Sequence, residues 1–255
     1  MLSKSKLHYA CGFLKRRLAA QKRWHQFSQE FERFKKASNA SSPRFLLRWE
    51  DRHPCLEDKT SFTGFDRHYI YHVSWAARVL ARTKPEYHVD ISSSLYFCGI
   101  VSAFIPVKFY DFRPADLRLD GLASEAADLT RLPFNDQSVT SLSCMHVVEH
   151  VGLGRYGDPL QPDGDLKAIE ELKRVVAYGG QILFVVPIGK PRICFNAHRI
   201  YGYEQVIEHF TGFKLREFAL ISESALHGGL LIGASASDVS AEDYGCGCFW
   251  FQKDS

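Results

Sequence analysis

The sequence of 255 residues has no apolar run long enough to cross a bilayer. Its longest uncharged stretch, Ile91 to Val107, holds four serines, a glycine and a proline, and falls short of the roughly 20 apolar residues of a spanning helix. The amino terminus starts basic but has no continuous apolar core, which excludes a secretory signal. No cysteine spacing forms paired CxxC motifs or a zinc knuckle. The seven cysteines, from Cys11 to the Cys246-Gly247-Cys248 pair, are an odd number spread over a large chain, which favours free thiols in a reducing, cytoplasmic setting. Also missing is the GxGxxG loop that brings backbone against a pyrophosphate, which counts against an NAD dehydrogenase. No internal repeat or low-complexity run is present.

What is there is the composition of an ordinary globular protein: 45% hydrophobic and 24% charged residues in 29.0 kDa, enough to bury a sizeable core. The net charge of +3 conceals an asymmetry. Met1 to Ala37 carries ten Lys or Arg against two Glu, a balance of +8, which leaves the remainder at −5. A mildly acidic body is a poor nucleic-acid surface, so a nucleic-acid partner is not expected.

The basic segment, residues 1–41, reads as a helical leader. Leu7, Cys11, Leu14 and Leu18 stand at helical spacing and Phe27, Phe31 and Phe34 continue the stripe. Such a helix packs its stripe on its own domain or on a twin subunit in a homodimer, or it rests peripherally on an anionic membrane; its acid-poor start also permits a presequence. After a polar break at Ser38 to Pro43, residues 42–255 form the body. A helix is expected from Arg67 to Arg82, and strands at Tyr87 to Ile91 and from Val107 to Asp111 with a helix between them. The 21-residue step from Asp90 to Asp111 is that of a nucleotide-binding crossover unit. Further strands are expected at Val139 to Cys144, Gln181 to Pro187, Lys214 to Ile221 and Cys246 to Gln252, and helices at Asp165 to Val176 and Tyr203 to Phe210. Ser235 to Tyr244 is too polar for core. Alternation of this kind, closing on a strand pair, is an α/β sheet that is parallel apart from its last strand.

The segment Ala127-Asp128-Leu129-Thr130-Arg131-Leu132-Pro133-Phe134-Asn135-Asp136, followed by a strand, a helix and Arg174-Val175-Val176-Ala177-Tyr178-Gly179-Gly180, resembles class I S-adenosylmethionine-dependent methyltransferases. The resemblance covers roughly Asp90 to Gln252. It implies a Rossmann-like methyltransferase sheet with N-terminal helices added, and S-adenosylmethionine as cofactor. The stretches Phe65-Asp66-Arg67-His68-Tyr69, Trp75-Ala76-Ala77, His88-Val89-Asp90-Ile91 and Glu149 to Leu160 also resemble an uncharacterised methyltransferase-like branch, associated in part with surface-polysaccharide gene clusters.

The resemblance implies that Asp128 accepts from the adenine amino group, that the backbone of Leu129 reads the adjacent ring nitrogen, and that Asp111 accepts both ribose hydroxyls. Either aspartate also suits a turn. The family's first loop carries an acid and then glycines, whereas this chain reads Asp90-Ile91-Ser92-Ser93-Ser94. Serine takes positive φ less readily than glycine, but the hydroxyls of Ser92 and Ser94 can meet a methionyl carboxylate, and the resemblance makes Asp90 a cofactor-binding candidate beside them. This substitution also favours a non-catalytic binding or scaffold protein as the alternative.

His146, Glu149 and His150 fall where such folds open the substrate cleft. Glu149 and His150 suit a carboxylate-supported base, with His198 as a second base candidate. His146, assigned to the cofactor, and His150 would share a helical face if a helix began here, which also permits a metal although no third ligand is evident. Each histidine can equally be a loop residue without catalytic duty. In the glycine-rich loop after them, Arg155 suits a phosphate and Tyr156 a sugar face; Arg199 is a further substrate candidate. The Asn/Asp-Pro-Pro-Tyr/Phe motif of amino-group methyltransferases is absent, so a hydroxyl on a small polar or sugar-containing acceptor is expected.

Overall fold

The computed structural model describes residues 4–40, 43–223 and 228–254, with side chains from residue 17 onward. The chain divides into two compact units, residues 1–64 and 65–255. In the first, the basic segment is one long helix, α1 (Lys4–Ala40). Trp49, in a short turn after it, packs on Trp24, Phe27 and Phe31 at ring distances of 6.3, 6.1 and 4.9 Å. Arg23 pairs with Glu57 at 2.7 Å. That part of the apolar stripe is covered within its own unit; Leu7, Cys11 and Leu14 lie outside the described side chains, and the expected boundary at 41–42 lies outside the described residues. Among the described residues no helix is long and apolar enough to cross a membrane.

The second unit opens with α2 (Arg67–Thr83), where Asp66 caps the first turn by accepting from the Tyr69 amide at 3.0 Å. There follow β1 (His88–Ile91), α3 (Leu95–Val101), β2 (Val107–Asp111), β3 (Leu122–Ala126), β4 (Val139–Met145), α4 (Gly164–Val175), β5 (Val176–Ile188), the small hairpin β6 (Arg192–Cys194) and β7 (His198–Ile200), α5 (Tyr203–His209), β8 (Phe213–Ile221), β9 (Leu230–Ile232), α6 (Ala236–Ser240) and β10 (Gly245–Lys253). The main sheet runs β3-β2-β1-β4-β5-β10-β8-β9. Strands β1 to β5 are parallel, and β10 inserts antiparallel between β5 and β8. This is the Rossmann-like methyltransferase sheet expected, with its antiparallel last strand.

Five elements were not expected: the hairpin strands β6 and β7, and three more. Strand β3 is a half-exposed edge with little apolar signal, β9 adds a second edge, and the polar Ser235–Tyr244 segment holds α6, which buries Val239. Strand β5 shows why the centre was easier to see. Ile182, Phe184, Val186 and Ile188 face a cluster with Ile169, Leu172 and Phe210, while Leu183 and Val185 face Trp75, Val79, Leu80 and Val101. A strand buried on both faces reads as a continuous apolar run, and each such side chain contributes about 1.5–3 kcal/mol.

One polar chain crosses this apolar centre. Gln181 of β5 donates to Ser141 at 3.0 Å, Ser141 and Ser143 of β4 flank the two ring nitrogens of His88 at 2.8 Å each, and Ser143 donates to Asp90 of β1. Because the single Ser143 proton goes to the carboxylate, His88 Nε2–H must donate to Ser143 and its Nδ1 must accept from Ser141. Asp90 then accepts from the Ser93 amide at 2.9 Å, and Ser93 Oγ accepts from the Met145 amide at 3.0 Å. Burial holds the imidazole of His88 neutral, lowering its pKa from 6.5 to about 3. Burial pushes Asp90 up to about 6, opposed by its bonds from Ser143 and Ser93.

The sign for His88 is fixed by its depressed value. Below pH 6.5 the unfolded chain takes a proton that the folded chain refuses until about pH 3, so this group subtracts stability as pH falls through that window. We expect His88→Gln, which keeps one donor and one acceptor, to be less stable than wild type at pH 7 but to lose less between pH 6.5 and 5. The slopes should differ by up to about 2 kcal/mol over that interval. Urea titrations at the two pH values check this, and parallel pH dependence in both proteins would exclude His88 as the source.

Candidate functional site

The strand order reverses between β1 and β4, and open α/β sheets bind ligands at the carboxyl ends of strands beside such a switch point. A cavity of about 310 Å³ lies there. Four consecutive parallel strands supply one wall: Ser92 after β1, Asp111 closing β2, Ala127-Asp128-Leu129-Thr130 after β3, and His146-Val147 after β4. The opposite wall comes from the loop that follows, through His150, Gly152, Tyr156, Asp158 and Gln161.

Ser92 occupies the left-handed region with φ of 56°, a conformation that glycine adopts without the Cβ penalty. Its amide and hydroxyl both turn back to the Tyr110 carbonyl, at 2.7 and 3.2 Å. The left-handed turn after β1 is therefore made by a serine whose hydroxyl is engaged. Ser94 precedes α3 without a side-chain cap bond and does not line the cavity. Asp90 corrects a further expectation: it is fully buried and bonded inside the polar chain, away from the cavity. Asp111 Oδ1 accepts from the Arg113 amide at 2.7 Å. Asp128 Oδ1 accepts from both the amide and hydroxyl of Thr130, at 2.8 and 2.7 Å, which leaves Oδ2 for a ligand. The turn role and the ligand role are thus compatible in one carboxylate.

The position of the Asp128 segment depends on Arg174 of α4. Its guanidinium donates to the carbonyls of Phe134 and Leu132 at 2.9 and 3.2 Å and pairs with Asp136 and Glu171. Glu171 in turn accepts from the Leu132 amide at 2.8 Å. The Leu-Pro-Phe loop and the helix-ending arginine occur together because one clamps the other.

At the other end, Glu149 is 1% exposed. Its Oε1 contacts His146 Nδ1 at 2.9 Å and lies 3.8 Å from His150 Nε2, while Oε2 is buried with no partner. Burial pushes Glu149 up to about 7 and His146 down to about 4. The 2.9 Å contact is therefore a hydrogen bond in which a neutral imidazole and Glu149 share one proton, and His146 Nε2 faces the Cys246 thiol at 3.3 Å. His146 itself has φ of 57°, and only a short 3-10 turn, Val148–His150, follows it. The shared helical face expected for His146 and His150 does not form, and with it goes that metal pair.

His150 lines the cavity, and its Nδ1 sits 2.6 Å from the Ala197 carbonyl. Arg155 Nη1 donates to the same carbonyl at 3.0 Å and approaches Nδ1 at 3.3 Å. One nitrogen cannot both donate and accept, and the shorter contact fixes Nδ1–H as donor, leaving the Nε2 lone pair free. Burial lowers the His150 and His198 pKa values, with Glu149 pulling the other way. His198 stacks on Tyr244 at 5.4 Å and stands 6.4 Å from the His150 ring, off the cavity wall. Tyr156 lines the cavity with Arg113 and Arg155 over its ring at 4.9 and 5.1 Å. Arg199 is corrected as a substrate residue. It is 5% exposed, pairs with Asp165 at 3.4 Å, and donates to the Val151 and Pro162 carbonyls at 2.7 and 3.0 Å; its donors are spent on holding the loop.

That loop is organised by Asp158. Its carboxylate accepts from the amides of Gly152, Gly154 and Tyr156 at 2.7, 3.3 and 3.2 Å. Burial opposes its ionisation, but these amides win and its pKa is lowered. At Gly152, φ is 80° and a Cβ would stand 2.0 Å from the Gln161 carbonyl oxygen, so only glycine closes the loop there.

Sequence reasoning missed three side chains at this end. His68 and His72 of α2 reach the His146 ring at 5.7 and 5.0 Å, and Cys246 of β10 meets it as above. The available signals were two histidines four residues apart near a helix start, which places both on one face, and a Cys-Gly-Cys in the last strand.

Comparison with known proteins gives the fold and little more. A family model described as Caenorhabditis protein of unknown function, DUF268, matches residues 134–227, less than half of the chain. No curated protein sequence matches. Among solved structures, a putative methyltransferase from Bacillus halodurans is 13% identical over 72% of this chain and 99% of its own, with a TM-score of 0.50. A chain of the complex between the Haloferax volcanii Trm112 methyltransferase activator and a putative methyltransferase is 17% identical over 74% and 91%, with a TM-score of 0.51. The Burkholderia thailandensis 1,6-didemethyltoxoflavin N1-methyltransferase, solved with S-adenosylhomocysteine, is 9% identical over 72% and 79%, with a TM-score of 0.50. These neighbours are class I methyltransferases, and the chain shares their fold.

The Asp158 geometry sets an expectation for the loop. Asp158→Ala leaves three amides without their acceptor, and their hydrogen exchange should quicken roughly tenfold or more while exchange in β4 and β5 stays as in wild type. Mass-spectrometric exchange on peptides spanning residues 151–161 checks this, and unchanged protection there would mean that the carboxylate does not hold the loop.

Proposed function

We propose that this methyltransferase-fold chain binds S-adenosylmethionine in the cavity at the β1–β4 switch point and methylates an oxygen of a small polar or sugar-containing acceptor. The observation that carries it is the convergence of Asp111, Asp128 and His146 on one cavity from the ends of three neighbouring strands. The donor set fits the cofactor: a carboxylate at the end of β2 for vicinal hydroxyls, and a second with Oδ2 unspent beside the Leu129 amide for an amino-purine edge. The resemblance to a branch associated in part with surface-polysaccharide clusters supports a sugar-containing acceptor, and a cytoplasmic location is consistent with it.

Held by Asp111, Asp128 and the Leu129 backbone, the cofactor would supply a sulfonium methyl for transfer to an acceptor oxygen. The chain's residues position and deprotonate. His150 offers the Nε2 lone pair to the acceptor hydroxyl, because Ala197 holds its other nitrogen as a donor. Glu149, 3.8 Å away, stabilises the imidazolium that forms. Tyr156 presents an aromatic face and Arg155 a cation at the mouth. Orientation and exclusion of water by the 151–161 loop supply most of the rate.

A non-catalytic binding or scaffold role is the second reading, and Ser92 supports it, since a Cβ stands where the fold's members usually leave backbone bare. Calorimetry separates the two. Wild type should bind S-adenosylmethionine; Asp128→Ala and Asp111→Ala should each lose about 1.5–3 kcal/mol of binding, a ten- to hundredfold weakening. Asp136→Ala should bind close to wild type, since that carboxylate does not line the cavity, is 74% exposed, and leaves Arg174 held by Glu171 and the Leu132 and Phe134 carbonyls. Equal affinity in wild type and Asp128→Ala would remove the adenine assignment, and no binding by wild type would leave the scaffold role.

A further inference from the structure

We propose that His68, His146 and Cys246 form a binding site for a borderline-soft divalent cation, zinc foremost, with its fourth position open. The three residues come from α2, the end of β4 and the start of β10, and one donor atom from each lies within 4.8 Å of the others. All three are buried, His68 at 7% exposure and Cys246 at 0%.

A second observation points to a ligand. Of six buried side-chain polar atoms without a partner among the described residues, one, His68 Nε2, belongs to a proposed ligand and two more, His72 Nε2 and Glu149 Oε2, belong to side chains that border His146. Buried polar groups are nearly always paired, and a knot of orphans calls for a missing ion or water. Glu223 Oε2 stands 3.5 Å from His68 Nε2 without forming a hydrogen bond.

The donor chemistry selects the ion. Two imidazoles and a thiolate suit zinc, whose bonds to them are about 2.0–2.3 Å, and they do not suit magnesium or calcium, which require oxygen. His146 Nδ1 already lies 2.9 Å from Glu149 Oε1, the carboxylate–histidine arrangement that orients a metal-bound imidazole and raises its basicity. On binding, the Cys246 thiol proton leaves to solvent and the sulfur pair goes to the ion. A dication with one thiolate and the neighbouring Glu149 carboxylate has no net charge, which makes the buried site electrostatically self-consistent. A thiol nucleophile aided by His146 and Glu149 is the competing use of the same groups, but a fully buried sulfur offers no path to a substrate.

His146 belongs both to this cluster and to the cavity wall, so an ion here lies one imidazole from the methyl-transfer site. Resting on that reading, the ion would fix the His146 ring in the cavity wall and, through it, the neighbouring Glu149.

The test uses the full chain without cofactor. Metal-free protein dialysed against zinc should retain about one equivalent, removable by chelator. Cobalt in its place should give a thiolate-to-cobalt charge-transfer band that Cys246→Ser abolishes. His68→Gln should weaken binding, Glu149→Gln should weaken it roughly 10- to 100-fold, and His209→Gln should change nothing. No stoichiometric uptake, or a cobalt spectrum without the thiolate band, would overturn the site. If Cys246→Ser does not fold, unchanged affinity in His68→Gln overturns it equally. S-adenosylmethionine calorimetry on the same protein is read separately: zinc bound without cofactor affinity supports the ion site and removes only its role in methyl transfer.

Discussion

The site depends on the buried polar chain from Gln181 through Ser141, His88 and Ser143 to Asp90. Apolar side chains in the surrounding strands specify burial but tolerate slippage, whereas a hydrogen-bonded chain across three strands has only one register in which every member is satisfied. Its end at Asp90 takes the Ser93 amide, and Ser93 takes the Met145 amide. The loop after β1 and the exit of β4 are thereby tied to each other, and these are the two segments that must be spaced correctly for a ligand to lie across the switch point.

That tie explains how the chain makes this turn without the glycines that the resemblance led us to expect. Glycine serves there because one residue must take positive φ. Ser92 takes it instead, with its amide on the Tyr110 carbonyl and the next residue held by Asp90 and Met145. A left-handed serine costs roughly 1–2 kcal/mol, offset by bonds on both sides. Asp90, which the sequence pattern assigns to a ligand, is used up in this support.

The architecture was legible because a parallel sheet covered on both faces writes itself as apolar runs, as β5 does, and because the Leu-Pro-Phe loop and Arg174 are one clamp seen at two places in the chain. Edge strand β3 carries little apolar patterning, and β9, Leu-Leu-Ile, is too short for periodicity to report. In the site, Asp111, Asp128 and His146, which the resemblance singled out, stand at strand ends and line one cavity. Arg199 and Asp90 do not line it, and the sequence could not show this, because whether a polar side chain faces a ligand or its own backbone depends on partners far away in sequence: Arg199 on Val151 and Pro162, Asp90 on Ser143. His68 and Cys246 are separated from each other by most of the second unit, and no local spacing joins them.

The two ends of the cavity differ in kind. Around Asp111 and Asp128 the carboxylates are half-satisfied and open to water, so an empty site costs little. Around Glu149 a carboxylate oxygen and two imidazole nitrogens are buried without partners, and each such group costs about 1–3 kcal/mol. A fold retained only as a scaffold has no need of that penalty, since apolar residues of similar volume would pack β4 against α2 with more stability. His146 adds a left-handed backbone to the same spot, and strain of this sort persists where surrounding structure over-determines it for a purpose. The unsatisfied end therefore weighs toward a site that is completed by something bound, and it does so independently of whether Ser92 admits the cofactor.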